Sequence, residues 1–242
     1  MRGKRRRKRT EKKIVLLLLL LTIGFFLLCD GKERLLSMVQ GGFYKIVVVD
    51  PGHGGIDGGT GDPADLLEKH INLDMALRLR DVLERRNFLV VMTREKDESL
   101  EERSSLNASR YLRDLDARKR IINESGDVFV SIHVNAQPNQ PQKRGVQVYY
   151  YPTSEESRKL ANEIRLAVNR IVYEDFLKTE TLKAEMIPND YYVLRETNIP
   201  GVLVEIGFMT NPEDKKLLTR KSYQKKIAEA ITEGIWQYFR KQ

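Results

Sequence analysis

From Tyr44 onward the chain alternates between two periodicities, and this alternation limits its possible folds more than any other feature. Short apolar runs rich in β-branched residues occur at 44–50 (YKIVVVD), 88–93 (FLVVMT), 127–134 (DVFVSIHV), 145–151 (GVQVYYY) and 201–206 (GVLVEI). Between and after them lie helical patterns at 67–86, 111–125, 154–172 and 222–242. In the first, Ile71, Leu73, Ala76, Leu77, Leu79, Val82 and Leu83 recur at helical spacing. Several strands are continuously apolar, as expected where helices cover both faces of a sheet. Strands alternating with helices predict an α/β fold: a single layered domain with a mostly parallel central sheet flanked by helices, preceded by an N-terminal membrane segment.

That segment is where the charge becomes informative. The formal net charge is +8, but nine of the 42 Lys and Arg and only one of the 34 acidic residues lie in residues 1–13, leaving 33 of each beyond. The folded body is therefore neutral, which argues against a nucleic-acid partner, since such a domain keeps its basic patch on the body. The single cysteine excludes a disulfide scaffold and a Cys-built zinc finger. Residues 14–29 carry no charge over sixteen positions, roughly 24 Å as a helix, and no small-x-small cleavage site follows. The expected organisation is a basic cytoplasmic region at 1–13, a hydrophobic signal or anchor segment at 14–29, a linker at 30–43 and a catalytic domain at 44–242. The domain is expected outside the cytoplasm, tethered to the membrane or secreted.

In parallel α/β sheets ligands gather beyond the carboxyl ends of the strands. Asp50-Pro51-Gly52-His53-Gly54-Gly55 ends the first strand, and its glycines let the loop turn sharply to present His53. Asp50 is a candidate to orient an imidazole. Glu68 opens the first helix, where the helix dipole alone could account for an acid. His133 ends a strand, with Asn135 just past it, and Glu205 interrupts an apolar strand, where an acid must be paired, metal-bound or protonated. Two histidines and two glutamates at neighbouring strand mouths form the nitrogen–oxygen set that zinc prefers when thiolates are absent. Two imidazoles and one carboxylate leave a coordination position for water, and the other carboxylate is free to act as general base. His70, two residues after Glu68, lies on the wrong side of the helix to share that metal and is expected to face solvent or to pack.

These residues carry a resemblance. DPGHGG, Leu67-Glu68-Lys69, Ser131-Ile132-His133-Val134-Asn135-Ala136 and Val204-Glu205-Ile206-Gly207-Phe208, in that order, resemble the zinc-dependent N-acetylmuramoyl-L-alanine amidases of the Amidase_3 type, from about Tyr44 to the C-terminus. Thr93-Arg94, Leu115-Asp116-Ala117-Arg118 and Tyr192-Val193-Leu194-Arg195 are further family-like segments. The resemblance implies one Zn2+ per chain on His53, Glu68 and His133, and Glu205 as the catalytic glutamate. It implies hydrolysis of the amide between the lactyl group of N-acetylmuramic acid and L-alanine of the peptidoglycan stem peptide. Arg94, Arg118 and Asn135 are the expected substrate contacts. The short chain, with a membrane segment and no wall-binding repeats, is most similar to the sporulation amidases of spore-forming bacteria. Such an enzyme would strip peptides from muramic acid in spore cortex between the forespore membranes, for a downstream deacetylase to form muramic-δ-lactam for germination. A protein activator is a further expected partner. The competing expectations are another zinc peptidase or deacylase of the cell wall, and a membrane-tethered peptidoglycan-binding protein without catalysis.

Overall fold

The computed structural model describes residues 45–62 and 66–242. The basic, hydrophobic and linker segments expected over 1–43 lie outside the described residues. Among the described residues no helix is long and apolar enough to cross a membrane.

Six strands build the main sheet: β1 (Ile46–Pro51), β4 (Leu89–Met92), β5 (Val128–Asn135), β6 (Gln147–Tyr150), β7 (Glu185–Pro188) and β8 (Gly201–Phe208). Their spatial order is β4-β1-β5-β8-β6-β7, and every pairing is parallel except β6 with β8. The last strand in the chain thus lies between two strands made earlier. A small antiparallel ribbon, β2 (Gly61–Asp62) with β3 (Leu66–Leu67), precedes the first helix.

The helices are α1 (Glu68–Arg85), α2 (Arg110–Ser125), α3 (Glu155–Val168), α4 (Tyr192–Arg195), α5 (Pro212–Leu218) and α6 (Lys221–Arg240). Ser109 and Ser154 cap α2 and α3 by accepting from Leu112 N and Ser157 N, and Asn211 caps α5 with Pro212 at its first position. On one sheet face Val47, Val49, Val130 and Val204 pack with Met75 and Leu79 of α1, Ile164 of α3 and Ile231 of α6. On the other, Val48, Phe129 and Leu203 pack with Ile122 of α2 and with Val193 and Leu194 of α4. Alternate residues of each strand are buried on opposite sides, hence the unbroken apolar runs.

The strand and helix boundaries fall within a few residues of those expected. The elements not anticipated include the β2–β3 ribbon, β7, α4 and α5. The third helical pattern also changes its winding, passing from α-helix to π-helix over Asn169–Phe176.

Candidate active site

The loop leaving β1 is set by its backbone. His53 sits at φ 60°, a left-handed conformation uncommon for a residue with a Cβ, and Gly54 and Gly55 follow at 135° and 57°. Two buried arginines hold it there. Arg94 donates to Gly52 O at 2.9 Å and His53 O at 2.7 Å, and Arg118 to Pro51 O at 2.7 Å and His53 O at 2.6 Å. Both were expected to touch substrate. Instead they are 2% and 3% exposed, with their donors spent on this loop and on Asp50 and Asp114, so they brace the site from behind. Burial and the neighbouring Arg118 bring the Arg94 pKa down to about 10, which still leaves it cationic near neutrality.

Asp50 does not orient an imidazole. Its carboxylate takes Arg118, Thr93 Oγ1 at 2.6 Å and Ser131 Oγ at 2.7 Å. Burial alone would raise its pKa, but Arg118 and the two hydroxyls override this and hold it below the ordinary value. The residue that takes the imidazole is Asp57, whose Oδ2 lies 2.8 Å from His53 Nδ1. Asp57 sits in a turn closed by paired Gly54 and Asp57 backbone bonds, which folds it back beside His53. Three loop residues lie between the two in sequence, outside any helix or strand, so no periodic pattern signals the contact.

His53, Glu68 and His133 converge. Glu68 Oε1 lies 3.2 Å from His53 Nε2 and 3.0 Å from His133 Nδ1, and the three ligating atoms are all within 4.8 Å of one another. Asn72 Nδ2, Val134 N and Thr60 N also donate to the Glu68 carboxylate, at 3.1, 3.1 and 2.9 Å. Burial opposes ionisation of Glu68, yet the two imidazoles hold its pKa far below the carboxylate range. Burial likewise opposes charge on His53, but Glu68 and Asp57 raise its pKa to about 9. Two imidazoles and one anionic oxygen around one point suit a divalent cation, and the set is of the kind zinc takes. Gly52 is needed for this approach, because a Cβ there would stand 2.2 Å from His133 Cε1. His70 is exposed on α1, away from the cluster.

Glu205 stands in register with His133 on the neighbouring strand. It lies within β8 rather than at its end, is 9% exposed, and its Oε2 has no hydrogen-bond partner among the described residues. Burial, with the nearby Glu68 charge, pushes its pKa well above that of an ordinary carboxylate, His53 acting in the opposite direction. Asn135 ends β5 past an irregularity in the β5–β8 register, and its amide donates to Gln147 Oε1 at 2.9 Å. Gln147 was not singled out, although a polar residue interrupting GVQVYYY is the same kind of signal that marked Glu205.

The family described as N-acetylmuramoyl-L-alanine amidase matches residues 47–237, nearly all of the described chain. The chain belongs to this amidase family. The germination-specific N-acetylmuramoyl-L-alanine amidase of Bacillus subtilis is 40% identical over 197 residues, covering 81% of this chain and 80% of that protein. The probable cell wall amidase LytH of Staphylococcus epidermidis is 32% identical over 197 residues, but the amidase match spans only 58% of its length. Among solved structures, the CwlD amidase from Clostridioides difficile in complex with the GerS lipoprotein has a TM-score of 0.72 and 39% identity, covering 82% of this chain and all of that one. The protein is accordingly a cell-wall amide hydrolase.

Proposed function

We propose that this amidase is zinc-dependent, that His53, Glu68 and His133 hold the metal, and that Glu205 is the general base. The observation carrying this is one juxtaposition: three ligating atoms within 4.8 Å of each other, and beside them a buried acid with an unpartnered oxygen. Zinc bound there would supply Lewis acidity to the scissile carbonyl and lower the pKa of the attacking water. Glu205 accepts the water's proton at its free oxygen and returns it to the departing L-alanine nitrogen. Its raised pKa suits both halves of that exchange, because a base that must later act as an acid works best with a pKa near the working pH. Asp57 fixes the orientation of His53, leaving Nε2 facing Glu68. Arg94 and Arg118 keep the loop carbonyls satisfied and the imidazole in place.

Residues 44–242 would form the catalytic domain, placed outside the cytoplasm by the basic and hydrophobic segments of 1–13 and 14–29, with 30–43 as linker. The germination-specific relative supports action on spore cortex, where removal of stem peptides prepares muramic acid for lactam formation by a deacetylase. The lipoprotein bound to the solved CwlD amidase supports a protein partner for this chain as well.

The test is mass spectrometry of muropeptides after incubating the zinc-loaded full-length chain with intact peptidoglycan. Free stem peptides beginning at L-alanine, beside peptide-free glycan, are expected from the native chain and not from Glu205→Gln. Cleavage elsewhere in the peptide, or full activity of Glu205→Gln, overturns the assignment.

A further inference from the structure

The cross-strand registers draw a line of four polar residues across the mouth of the sheet. His133 on β5 stands opposite Glu205 on β8, Glu205 opposite Gln147 on β6, and Gln147 opposite Glu185 on β7. Gln147 is buried and its amide is fixed from both ends: Oε1 accepts from Asn135 Nδ2 at 2.9 Å and Tyr149 OH at 2.8 Å, while Nε2 donates to Glu185 Oε2 at 2.8 Å. An interior residue is thus committed to aligning a carboxylate that is itself exposed.

Lys183, two residues before Glu185, is taken by Glu174, 3.7 Å away. Among the described residues Glu185 makes its hydrogen bond to Gln147 and has no ion pair. A carboxylate held in place and lacking a counter-charge among the described residues is open to pairing with a cation from outside the protein.

Its distance from the reacting centre indicates which outside group. Two inter-strand steps of about 4.8 Å put Glu185 about 10 Å from Glu205 along the line, the reach of roughly three extended peptide residues. If Glu205 works at the L-alanine nitrogen, as the proposed function has it, that reach ends near the third residue of the stem, the position at which peptidoglycan peptides carry a diamino acid. Tyr191, 40% exposed, meets Tyr149 edge-on at 5.4 Å and gives an apolar wall beside Gln147 for the aliphatic part of such a side chain.

We propose that Glu185, aligned by Gln147, is a specificity-determining residue that receives the side-chain ammonium of the third stem-peptide residue. The inference rests on the amidase reading and deepens it, and it assigns Gln147 a positioning role.

The test compares two soluble disaccharide peptides, one with lysine as third residue and one with the same lysine Nε-acetylated, each cleaved by the zinc-loaded full-length chain. The free amine should be preferred about fivefold in kcat/KM, the range of a solvent-exposed ion pair, and mainly through KM. In Glu185→Gln the ratio should fall to about one, and in Glu185→Lys below one. A purely structural role for Glu185 would lower both substrates together and leave the ratio standing, which overturns the proposal. Equal cleavage of both peptides by the native chain also overturns it, while leaving the amidase assignment intact. Failure to cleave either at the muramoyl–alanine bond defeats the underlying reading instead.

Discussion

Glu205 shows how far single residues could be read before the fold was known. Its type and its place in an apolar strand announced a problem that only pairing, protonation or a metal could solve, and its unpartnered oxygen and raised pKa answer that description. The expected phenotype of Glu205→Gln is loss of turnover by a factor of 100 or more, of the order contributed by general-base catalysis, with zinc still bound at one equivalent by metal analysis. Because burial and Glu68 raise its pKa, the acid limb of kcat/KM should lie above the ordinary glutamate value of about 4.3. A limb at or below that value would remove Glu205 from the base role. Gly52→Ala should fold but bind zinc at least tenfold more weakly, since the new methyl displaces the His133 ring, a loss readable by competition with a chelating dye. His53, Glu68, His133 and Glu205 were legible as one set because each is a chemistry-bearing residue at a strand mouth or helix start. Asp57 was not, because its partnership with His53 depends on a glycine-rich turn without sequence period.

The strands and long helices were legible because burial on two faces writes continuous apolar runs and burial on one face writes a helical stripe. β7 was not: four residues, two of them exposed and the last a proline, carry too little pattern. α2 shows the limit of motif reading. Arg118 looked like a substrate contact, but its helix turns it inward against Asp50, and only packing reveals that direction. Arg118→Leu should therefore destabilise the domain by about 3–5 kcal/mol in denaturant unfolding, the cost of leaving a buried carboxylate unpaired. A loss of substrate affinity with unchanged stability would return Arg118 to the substrate. The same pair sets a pH dependence. The folded-state pKa of Asp50 is lowered, so its contribution to stability is complete above the unfolded value of about 3.9 and is lost as pH falls through the folded one. The native chain should accordingly lose denaturation midpoint on acidification below about pH 4, and Asp50→Asn should flatten that part of the curve.

The formal charge divides the chain into a neutral stretch, residues 14–242, and a basic run before it, which on the proposed reading addresses the catalytic body to its place. The three proposed ligands come from the β1 loop, α1 and β5, so zinc bound there would tie together segments up to 80 residues apart. Metal at one hundred times its Kd should stabilise the folded chain by about 2.7 kcal/mol and raise its thermal midpoint, an effect reversed by chelator. No shift on adding zinc would mean that the trio does not hold it. The order of the sheet has a consequence in time. β8 is the last strand to be made, yet its place is between β5 and β6, whose facing edges pair with it. A nascent or truncated chain can already possess His53, Glu68 and His133 but still lacks Glu205. If Glu205 is the base, the blade that would cut the wall is sheathed by chronology, and catalysis would begin only when the final strand closes the gap.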